Sequence, residues 1–215
     1  MTMENQAYPV NLKGELSIPP ARGWWLIKWL LAIPHFFCLI GLGIAFCVVW
    51  VIAFFAILFT GKYPKSLFEF NAGVLRWSWR VGFYSYNALG TDKYPPFTLK
   101  PVADYPADLD IPYPEKLSRG LVLVKWWLLA IPHYIIVSFL CGGWGWDIGK
   151  WNFGGEGTGL IFILAIIAGI ALLFTGKYPQ SIFKLVIGFN RWVYRVVAYV
   201  TLMTDKYPPF RLWDD

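Results

Sequence analysis

The sequence predicts an all-α membrane protein made of tandem-duplicated transmembrane helical hairpins, four spans in all, with an amphipathic interfacial helix after each hairpin. Composition is the first of three observations behind this prediction. Of the 215 residues, 57% are hydrophobic, 20% aromatic and only 15% charged, whereas soluble domains carry about 25% charged residues. The other two observations are an internal repeat and a polar insertion within its second copy.

Four sequence blocks occur twice, in the same order. They are LAIPH, ending at His35 and His133; FTGKYP, at 59–64 and 174–179; RWxxRV, starting at Arg76 and Arg191; and TDKYPPF, at 91–97 and 204–210. Four matched blocks about a hundred residues apart show that the chain is a tandem duplication of one unit. The sequence therefore divides into repeat one (1–100), a linker with the start of repeat two (101–118), and repeat two (119–215).

The hairpins are predicted from the length of the apolar segments. Residues 24–59 form one apolar stretch, which is too long for a single crossing of about 20 residues. At the position of 41–43, repeat two carries an insertion, 142–157, that contains charged residues. Charged groups cannot lie unsatisfied in hydrocarbon, so we expect the chain to turn outside the membrane there. The predicted spans are 24–41, 43–60, 120–141 and 158–175.

Helix ends and interfacial helices follow from local patterns. Gly61 and Gly176 come directly after apolar runs and suit the left-handed conformation that ends a helix. The segments 65–89 and 180–202 place charged residues at i, i+7 and i+11, on one face, which is typical of an amphipathic helix lying in the membrane interface. If these segments crossed the membrane, six spans would result, with charges that cost about 2.5 to 3.5 kcal/mol each near the bilayer centre.

The predicted layout also fixes orientation. With two crossings per repeat, the repeats are parallel copies related by an axis along the membrane normal. Lysine and arginine then gather on one side, apart from Lys150, and the positive-inside rule places both termini and the linker in the cytoplasm. Short extended segments at 8–12 and 105–109 open the repeats, and their pairing with the Pro-Pro-Phe segments is left open.

The duplicated pattern of LAIPH, LFTGKYP, RWxxRV and TDKYPPF resembles the bacterial membrane family catalogued as domain of unknown function 4389. The resemblance covers nearly the whole chain, although the copies differ at Phe36 against Tyr134 and at Lys65 against Gln180. It implies a polytopic protein of the bacterial cytoplasmic (inner) membrane. It implies no activity, cofactor or catalytic residue.

His35 and His133, the only histidines, are the first candidate site because ionisable groups deep in a membrane often serve function. Facing rings would permit proton relay, a shared metal or haem ligation. The interpretation that we favour is structural, since each histidine follows a proline that frees a backbone carbonyl one turn earlier. Lys28 and Lys125 are expected to extend their ammonium groups to the lipid headgroups.

A second candidate site is a set of cations expected to bind anionic lipid headgroups. Arginine forks suit phosphate, and neighbouring tryptophans would insert at the same depth. The predicted lipid-binding residues are Arg76, Arg80, Arg191, Arg195, Lys62 and Lys177. The alternative is that the arginines form a solvated face or pair with Asp92 and Asp205.

The charge pattern and the absence of catalytic motifs limit the functional classes that the sequence allows. The net charge of +6 indicates a membrane surface rather than nucleic acid, because the cations are interleaved with aromatics beside apolar runs. No catalytic motif, metal site or cofactor is predicted, so we expect a non-catalytic accessory or scaffold subunit with other integral membrane proteins as partners. The alternatives are a small transporter or channel at the repeat interface and, more weakly, a haem-binding electron-transfer subunit.

Overall fold

The computed structural model describes residues 8–16, 20–142, 146–148, 151–153 and 159–213. Its elements, in chain order, are β1 (Asn11–Gly14), a 3₁₀ turn (Trp24–Leu26), α1 (Lys28–Thr60), α2 (Lys65–Tyr84), β2 (Ala107–Asp110), α3 (Arg119–Val124), a π-helical segment (Lys125–Leu129), α4 (Ile131–Cys141), β3 (Trp146–Ile148), β4 (Trp151–Phe153), α5 (Leu160–Thr175) and α6 (Gln180–Val200). β1 pairs with β2 and β3 with β4, both antiparallel.

The hairpin predicted for repeat one is wrong, because α1 is one unbroken helix of 33 residues. It runs through 41–43, where a turn was expected. That stretch holds no polar side chain that could satisfy the backbone at a turn, whereas a continuing helix satisfies every N–H and carbonyl within itself. α1 ends at Gly61, whose φ of 72° is left-handed, and α5 ends likewise at Gly176 with φ 69°, so the two predicted helix ends are confirmed.

In repeat two, the polar insertion interrupts the apolar segment without making it a membrane hairpin of two long helices. A Cβ on Gly159, at the start of α5, would overlap the backbone of Leu140 and Cys141 at the end of α4. The end of α4 and the start of α5 therefore adjoin. The turn predicted across 142–157 lies largely outside the described residues, apart from the β3–β4 pair.

Four membrane spans are therefore not supported. Within the described ranges, one helix, α1, is long and apolar enough to cross a membrane. Arg119–Leu129 and Ile131–Cys141 would add a second span only if this pair, bent by 49°, is taken together, and α5 is shorter, at 16 residues.

The prediction of interfacial helices is also wrong. α2 packs on α1 and on β2, while α6 packs on α5 and on β1. Most side chains of α2 are buried, including those of Arg76 and Arg80. The two arginines of this helix point into the protein, where backbone carbonyls accept their hydrogen bonds, whereas Glu69 on the same predicted face is exposed. The periodicity of the sequence does not reveal this difference.

The two repeats exchange their opening segments. β1 of repeat one pairs with β2 at the start of repeat two, and Leu12 lies opposite its own repeat counterpart, Leu109. An antiparallel pair in which equivalent residues face each other has a local two-fold axis between them. The extended segments predicted to open each repeat are thus β1 and β2, and they pair with each other rather than with the Pro-Pro-Phe segments.

Contacts at the helix ends obey the same symmetry. The N–H of Leu117, just before α3, donates to the carbonyl of Gly61 at the end of α1. Reciprocally, the Arg22 side chain lies against Gly176 at the end of α5. The apolar segments of the two repeats therefore run antiparallel, which corrects the prediction of parallel copies.

Candidate functional site

Three of the four duplicated blocks of each repeat meet around its histidine. In repeat one, the His35 ring stacks on Phe97 with 4.0 Å between ring centroids and lies 4.8 Å from the ring of Tyr94. The indole N–H of Trp77 donates to His35 Nδ1 at 3.1 Å. LAIPH, RWxxRV and TDKYPPF thus each contribute at least one ring to a cluster around the buried histidine, in which Tyr94 and Phe97 keep an exposed side.

Repeat two builds the same cluster from the matching residues. The His133 ring stacks on Phe210 at 4.5 Å and lies 4.9 Å from Tyr207. Trp192 donates its indole N–H to His133 Nδ1, again at 3.1 Å. Each histidine is enclosed by the aromatic rings of its own repeat, so the geometry that facing rings would need for a shared metal or proton relay is not formed.

The tryptophan bond also fixes the chemistry of each imidazole. A neutral imidazole that accepts at Nδ1 carries its proton on Nε2, so neither nitrogen offers a free lone pair. Nε2 of His35 and of His133 is buried without a hydrogen-bond acceptor among the described residues, although the His133 ring interacts with the Pro208 backbone. This tautomer argues against metal or haem ligation and supports the structural interpretation.

The tyrosines of TDKYPPF reinforce the helix beside each proline. Tyr94 donates its hydroxyl hydrogen to the carbonyl of Leu31, and Tyr207 donates to the carbonyl of Leu129. Proline lacks an N–H and disturbs the hydrogen bonds of the preceding turn. These donors reach the turn before each proline, but at the carbonyl next to the one, Leu30 or Leu128, that loses its helical N–H to the proline, so they strengthen the turn without replacing the missing bond.

Lys28 and Lys125 are buried, so the prediction that they reach lipid headgroups is wrong. Lys28 Nζ donates to the carbonyl of Thr91 at 2.7 Å and lies 2.8 Å from Asp92 Oδ1. The ammonium group also faces the ring of Tyr84, 5.1 Å from its centroid. Burial raises the pKa of Tyr84, which keeps the phenol neutral beside the cation.

The second repeat reproduces this lysine site. Lys125 Nζ donates to the carbonyl of Thr204 at 3.0 Å and to Asp205 at 2.7 Å. The ring of Tyr199 lies 5.5 Å away, and burial raises the pKa of Tyr199 to about 12. The Thr-Asp of TDKYPPF is therefore the lysine acceptor in both copies.

The other carboxylate oxygen of each aspartate accepts a hydrogen bond from the loop that precedes the apolar helices of the same repeat. Asp92 Oδ2 accepts from the backbone N–H of Ala21, and Asp205 Oδ2 accepts from that of Ser118, both at 2.5 Å. The segment before each apolar helix is thus fixed to the segment after α2 or α6. Pairing of these aspartates with the arginines had been an alternative, and here they pair with lysine instead.

The arginines of RWxxRV hold the chain that follows Pro-Pro-Phe. Arg80 donates to the carbonyls of Thr98 and Lys100, at 3.2 and 2.7 Å, and lies 3.4 Å from Asp108. Burial lowers the pKa of Arg80, and the Asp108 carboxylate opposes this shift. In repeat two, Arg195 donates to the carbonyl of Arg211 at 2.9 Å.

The remaining pair of arginines acts on the same segments. Arg76 donates to the carbonyls of Leu99 and Leu109, at 3.0 and 2.8 Å, and Arg191 donates to that of Leu212 at 3.2 Å. Guanidinium groups that donate several hydrogen bonds to loop carbonyls in this way fasten loops to helices.

The predicted lipid-binding residues therefore fall into two groups. Arg80 and Arg195 are buried and Arg76 nearly so, and Arg191 is half-buried. Lys62 and Lys177 are exposed directly after α1 and α5. Lipid binding stays a prediction, and these two lysines are the members of the set that are best placed for it.

Sequence reasoning missed Trp77 and Trp192 as histidine partners, and Asp92 and Asp205 as lysine partners. The signal was present, because each partner belongs to a block that is duplicated together with the residue it binds. Within the described residues, no group of three or more His, Cys, Asp or Glu side chains is arranged to hold a metal ion.

Comparison with known families adds one match. The profile of the domain of unknown function (DUF4389) matches residues 23–98 and 157–211, together more than half of the chain and one segment in each repeat. No curated protein and no solved structure shows significant similarity to the chain.

Proposed function

We propose that this chain, which belongs to the family of the domain of unknown function DUF4389, is a non-catalytic membrane protein that serves as an accessory or scaffold subunit. Its apolar helices would contact lipid and other integral membrane proteins of the bacterial cytoplasmic membrane. The cytoplasmic placement of the termini stays a prediction.

The exposed apolar surface of α1 carries this proposal. Only 11% of its most apolar 18-residue stretch is buried within the protein. Phe37, Ile40 and Ile44 are each more than 60% exposed. A core helix of a water-soluble protein would be mostly buried, and each large apolar side chain left in water forgoes about 1.5 to 3 kcal/mol. Lipid or an apolar partner is therefore the favoured environment for this helix.

The second repeat also exposes apolar side chains. α4 exposes Ile135 and Phe139, and α5 exposes Ile167 and Phe174. Large exposed apolar areas mark membrane or protein contacts, so the helices of both repeats are suited to such contacts.

Basic residues lie at the ends of these helices. Lys62 follows α1 and Lys177 follows α5, and both are exposed. Cations next to an apolar segment attract anionic lipid, by about 1 kcal/mol per residue near the surface. These two lysines support contact with anionic headgroups.

The polar groups of the duplicated blocks support a structural rather than a catalytic role. Lys28 and Arg80 direct their donors at backbone carbonyls and at one carboxylate each. A catalytic side chain needs access to a substrate and a tuned proton affinity. Here the charged groups instead fasten the segments that follow α2 to the helices of the same repeat.

Photo-crosslinking tests the proposal. A benzophenone amino acid replaces Phe37, which is exposed on α1, and in a matched variant it replaces Lys100, which is exposed on the polar side. We expect irradiation of intact membranes to join the Phe37 probe to lipid and to a defined integral membrane protein, and the Lys100 probe to neither.

Two results would reject the proposal. Alkaline carbonate would release the protein from membranes if α1 were not embedded. A stable monomer that conducts solute in liposomes would show that the chain is a transporter rather than an accessory subunit.

A further inference from the structure

The structure contains the same cavity twice, once in each repeat. In repeat two the cavity has a volume of about 470 Å³. Its lining residues are Gly14, Phe183, Lys184, Ile187, Arg191 and Trp213. In repeat one the volume is about 460 Å³. The lining there includes the matching residues Ile111, Phe68, Glu69, Ala72, Arg76 and Lys100.

The match between the two cavities follows from the duplicated sequence. Phe68 and Phe183 each lie eight residues before the arginine that opens RWxxRV. Lys100 and Trp213 each lie three residues after Pro-Pro-Phe. The opening segment of the other repeat completes each cavity, through Gly14 of β1 in one case and the residue after β2 in the other. Because the cavities are copies of one site, the positions at which they differ indicate what each is suited to bind.

The two cavities differ in charge. Repeat one has Glu69 where repeat two has Lys184, and Asp110 also lines the cavity of repeat one. Among the described residues, no acidic side chain lines the cavity of repeat two, and Lys184 forms no ion pair with any of them. Arg191 is the second cation of this cavity. A cleft bordered by charges of one sign concentrates ligands of the other sign, so the cavity of repeat two is suited to an anion.

Two aromatic rings border the same cavity. Phe183 is buried on α6. The ring of Trp213 lies over Gly188 of this helix, where a Cβ would stand 3.5 Å from the ring. Arg191 donates to the carbonyl of Leu212 at 3.2 Å, which holds the segment that carries Trp213. A ligand at the two cations therefore lies beside aromatic rings, which favour apolar or aromatic groups.

We propose that the cavity of repeat two binds a phosphate monoester that carries an apolar or aromatic group, through Lys184 and Arg191 at the phosphate and Phe183 and Trp213 at the apolar group. A phosphate monoester carries a charge of about −1.5 to −2 at pH 7, which matches two cations, and arginine suits phosphate oxygens. The volume falls within the roughly 300 to 1,000 Å³ of small-molecule sites. A soluble ester and the headgroup of phosphatidic acid present the same chemistry.

Phenyl phosphate is the probe for a soluble ester. Isothermal titration calorimetry of the full chain in mild neutral detergent measures its binding, with inorganic phosphate and benzylamine for comparison. We expect phenyl phosphate to bind roughly tenfold more tightly than inorganic phosphate, because part of its ring becomes buried. Benzylamine, which has the ring and the opposite charge, should not bind.

A charge reversal tests the cavity itself. Lys184→Glu gives repeat two the acid that repeat one has at this position. It should weaken phenyl phosphate binding roughly tenfold, since an attraction is replaced by a repulsion. The matched control is Lys65→Glu, the same change at an exposed lysine of α2 that lines neither cavity. It should leave the affinity unchanged, and circular dichroism verifies that each variant is folded.

The chain's own acidic residues need a separate variant. Asp214 and Asp215 follow Trp213 and lie outside the described residues. Asp214→Asn with Asp215→Asn should bind phenyl phosphate at least as tightly as the parent chain does. If the ester bound to this variant and not to the parent, the acidic residues would be the occupant and the proposal would fail.

The source of the phosphate is identified in lipid nanodiscs. If phosphatidic acid is the ligand, it should compete with phenyl phosphate, whereas phosphatidylglycerol at the same surface charge should not. Equal affinity in the two lipids would assign the cavity to a soluble ester. The proposal is overturned if the parent binds phenyl phosphate no better than inorganic phosphate, or if Lys184→Glu binds it as tightly as the parent. These outcomes are independent of the crosslinking at Phe37, which lies on α1 outside the cavity.

Discussion

At the residue scale, the buried cations bind backbone carbonyls as much as they bind carboxylates. Lys28 binds the carbonyl of Thr91 beside its contact with Asp92, and Arg80 binds two carbonyls as well as Asp108. A buried charge is tolerated only when its donors are used. Removing one acceptor should therefore cost far more than removing a surface ion pair.

Asp92→Asn tests this expectation. It leaves the Lys28 ammonium group buried, with the Thr91 carbonyl and a neutral amide as its remaining neighbours. We expect a loss of about 3 kcal/mol, the lower end for a broken buried pair, because Asp92 is 30% exposed. Denaturant unfolding in mild detergent, followed by circular dichroism, measures the change.

The control is Asp104→Asn. Asp104 pairs with Lys93 at 2.6 Å, but both side chains are exposed, so no measurable change in unfolding is expected. Equal effects of the two substitutions would show that burial does not govern the strength of the Lys28 site.

At the scale of elements, α1 of repeat one is a single helix. The matching part of repeat two contains a π-helical segment, Lys125–Leu129, and is then interrupted between α4 and α5. Lys28 matches Lys125, 97 positions on, whereas Trp29 matches Trp127, 98 positions on, so Trp126 is an extra residue, and it lies in the π-helical segment, which forms a bulge in the helix. The hydroxyl of Tyr134 donates to the carbonyl of Trp126, and the matching residue of repeat one is Phe36. If this pairing is what stabilises the bulge, the effects of changing the two residues must depend on each other.

A double-mutant cycle measures that dependence. Tyr134→Phe should destabilise the parent by about 1 to 2 kcal/mol, because a carbonyl loses its donor. In a chain from which Trp126 is deleted, the same substitution should cost nothing further. Phe36→Tyr is the control and should have no effect, since repeat one has no bulge. The pairing would be refuted if Tyr134→Phe cost as much without Trp126 as with it, measured by thermal unfolding.

The elements also show what could be predicted from the sequence. Gly61 and Gly176 were identified as helix ends because their left-handed backbone is a local property. The turn at 41–43 was inferred from an insertion in the other repeat, and that inference fails because repeat one lacks the insertion and α1 continues there as one helix. The inward face of α2 was missed because periodicity shows that Arg76 and Arg80 share a face but not what the face contacts.

The same limit applies to the candidate site. His35 and His133, predicted as intramembrane polar residues, are both buried, and their role stays a prediction. Trp77 and Asp92 lie far along the chain from the residues they bind. Such partners depend on how the helices fold back, which no local pattern encodes.

The whole molecule is organised by the exchange of β1 and β2. Tyr8, ahead of β1, donates to the carbonyl of Lys206 in repeat two, and Tyr105, ahead of β2, donates to that of Lys93 in repeat one. Each repeat is thus completed by the opening segment of the other. A single repeat would lack this strand, so we infer that the two copies fold as one unit.

Disulfide trapping tests the exchange. Asn11 and Asp110 lie directly opposite each other at the edge of the β1–β2 pair and are both exposed. Opposed residues of an antiparallel pair have Cα atoms about 4.5 to 5.5 Å apart, within reach of a disulfide. In a chain whose three native cysteines are replaced, Asn11→Cys with Asp110→Cys should therefore oxidise within the monomer, as seen by intact mass and by mobility on a non-reducing gel.

The matched control places the second cysteine at Asp104, which is equally exposed in the same inter-repeat segment but lies outside the strand register. It should remain reduced within the monomer under the same conditions. If the Asp104 variant closed as readily as the Asp110 variant, the opening segments would be sampling many positions rather than one register. The local two-fold axis through Leu12 and Leu109 would then be rejected, and with it the proposal that the two repeats exchange their opening segments.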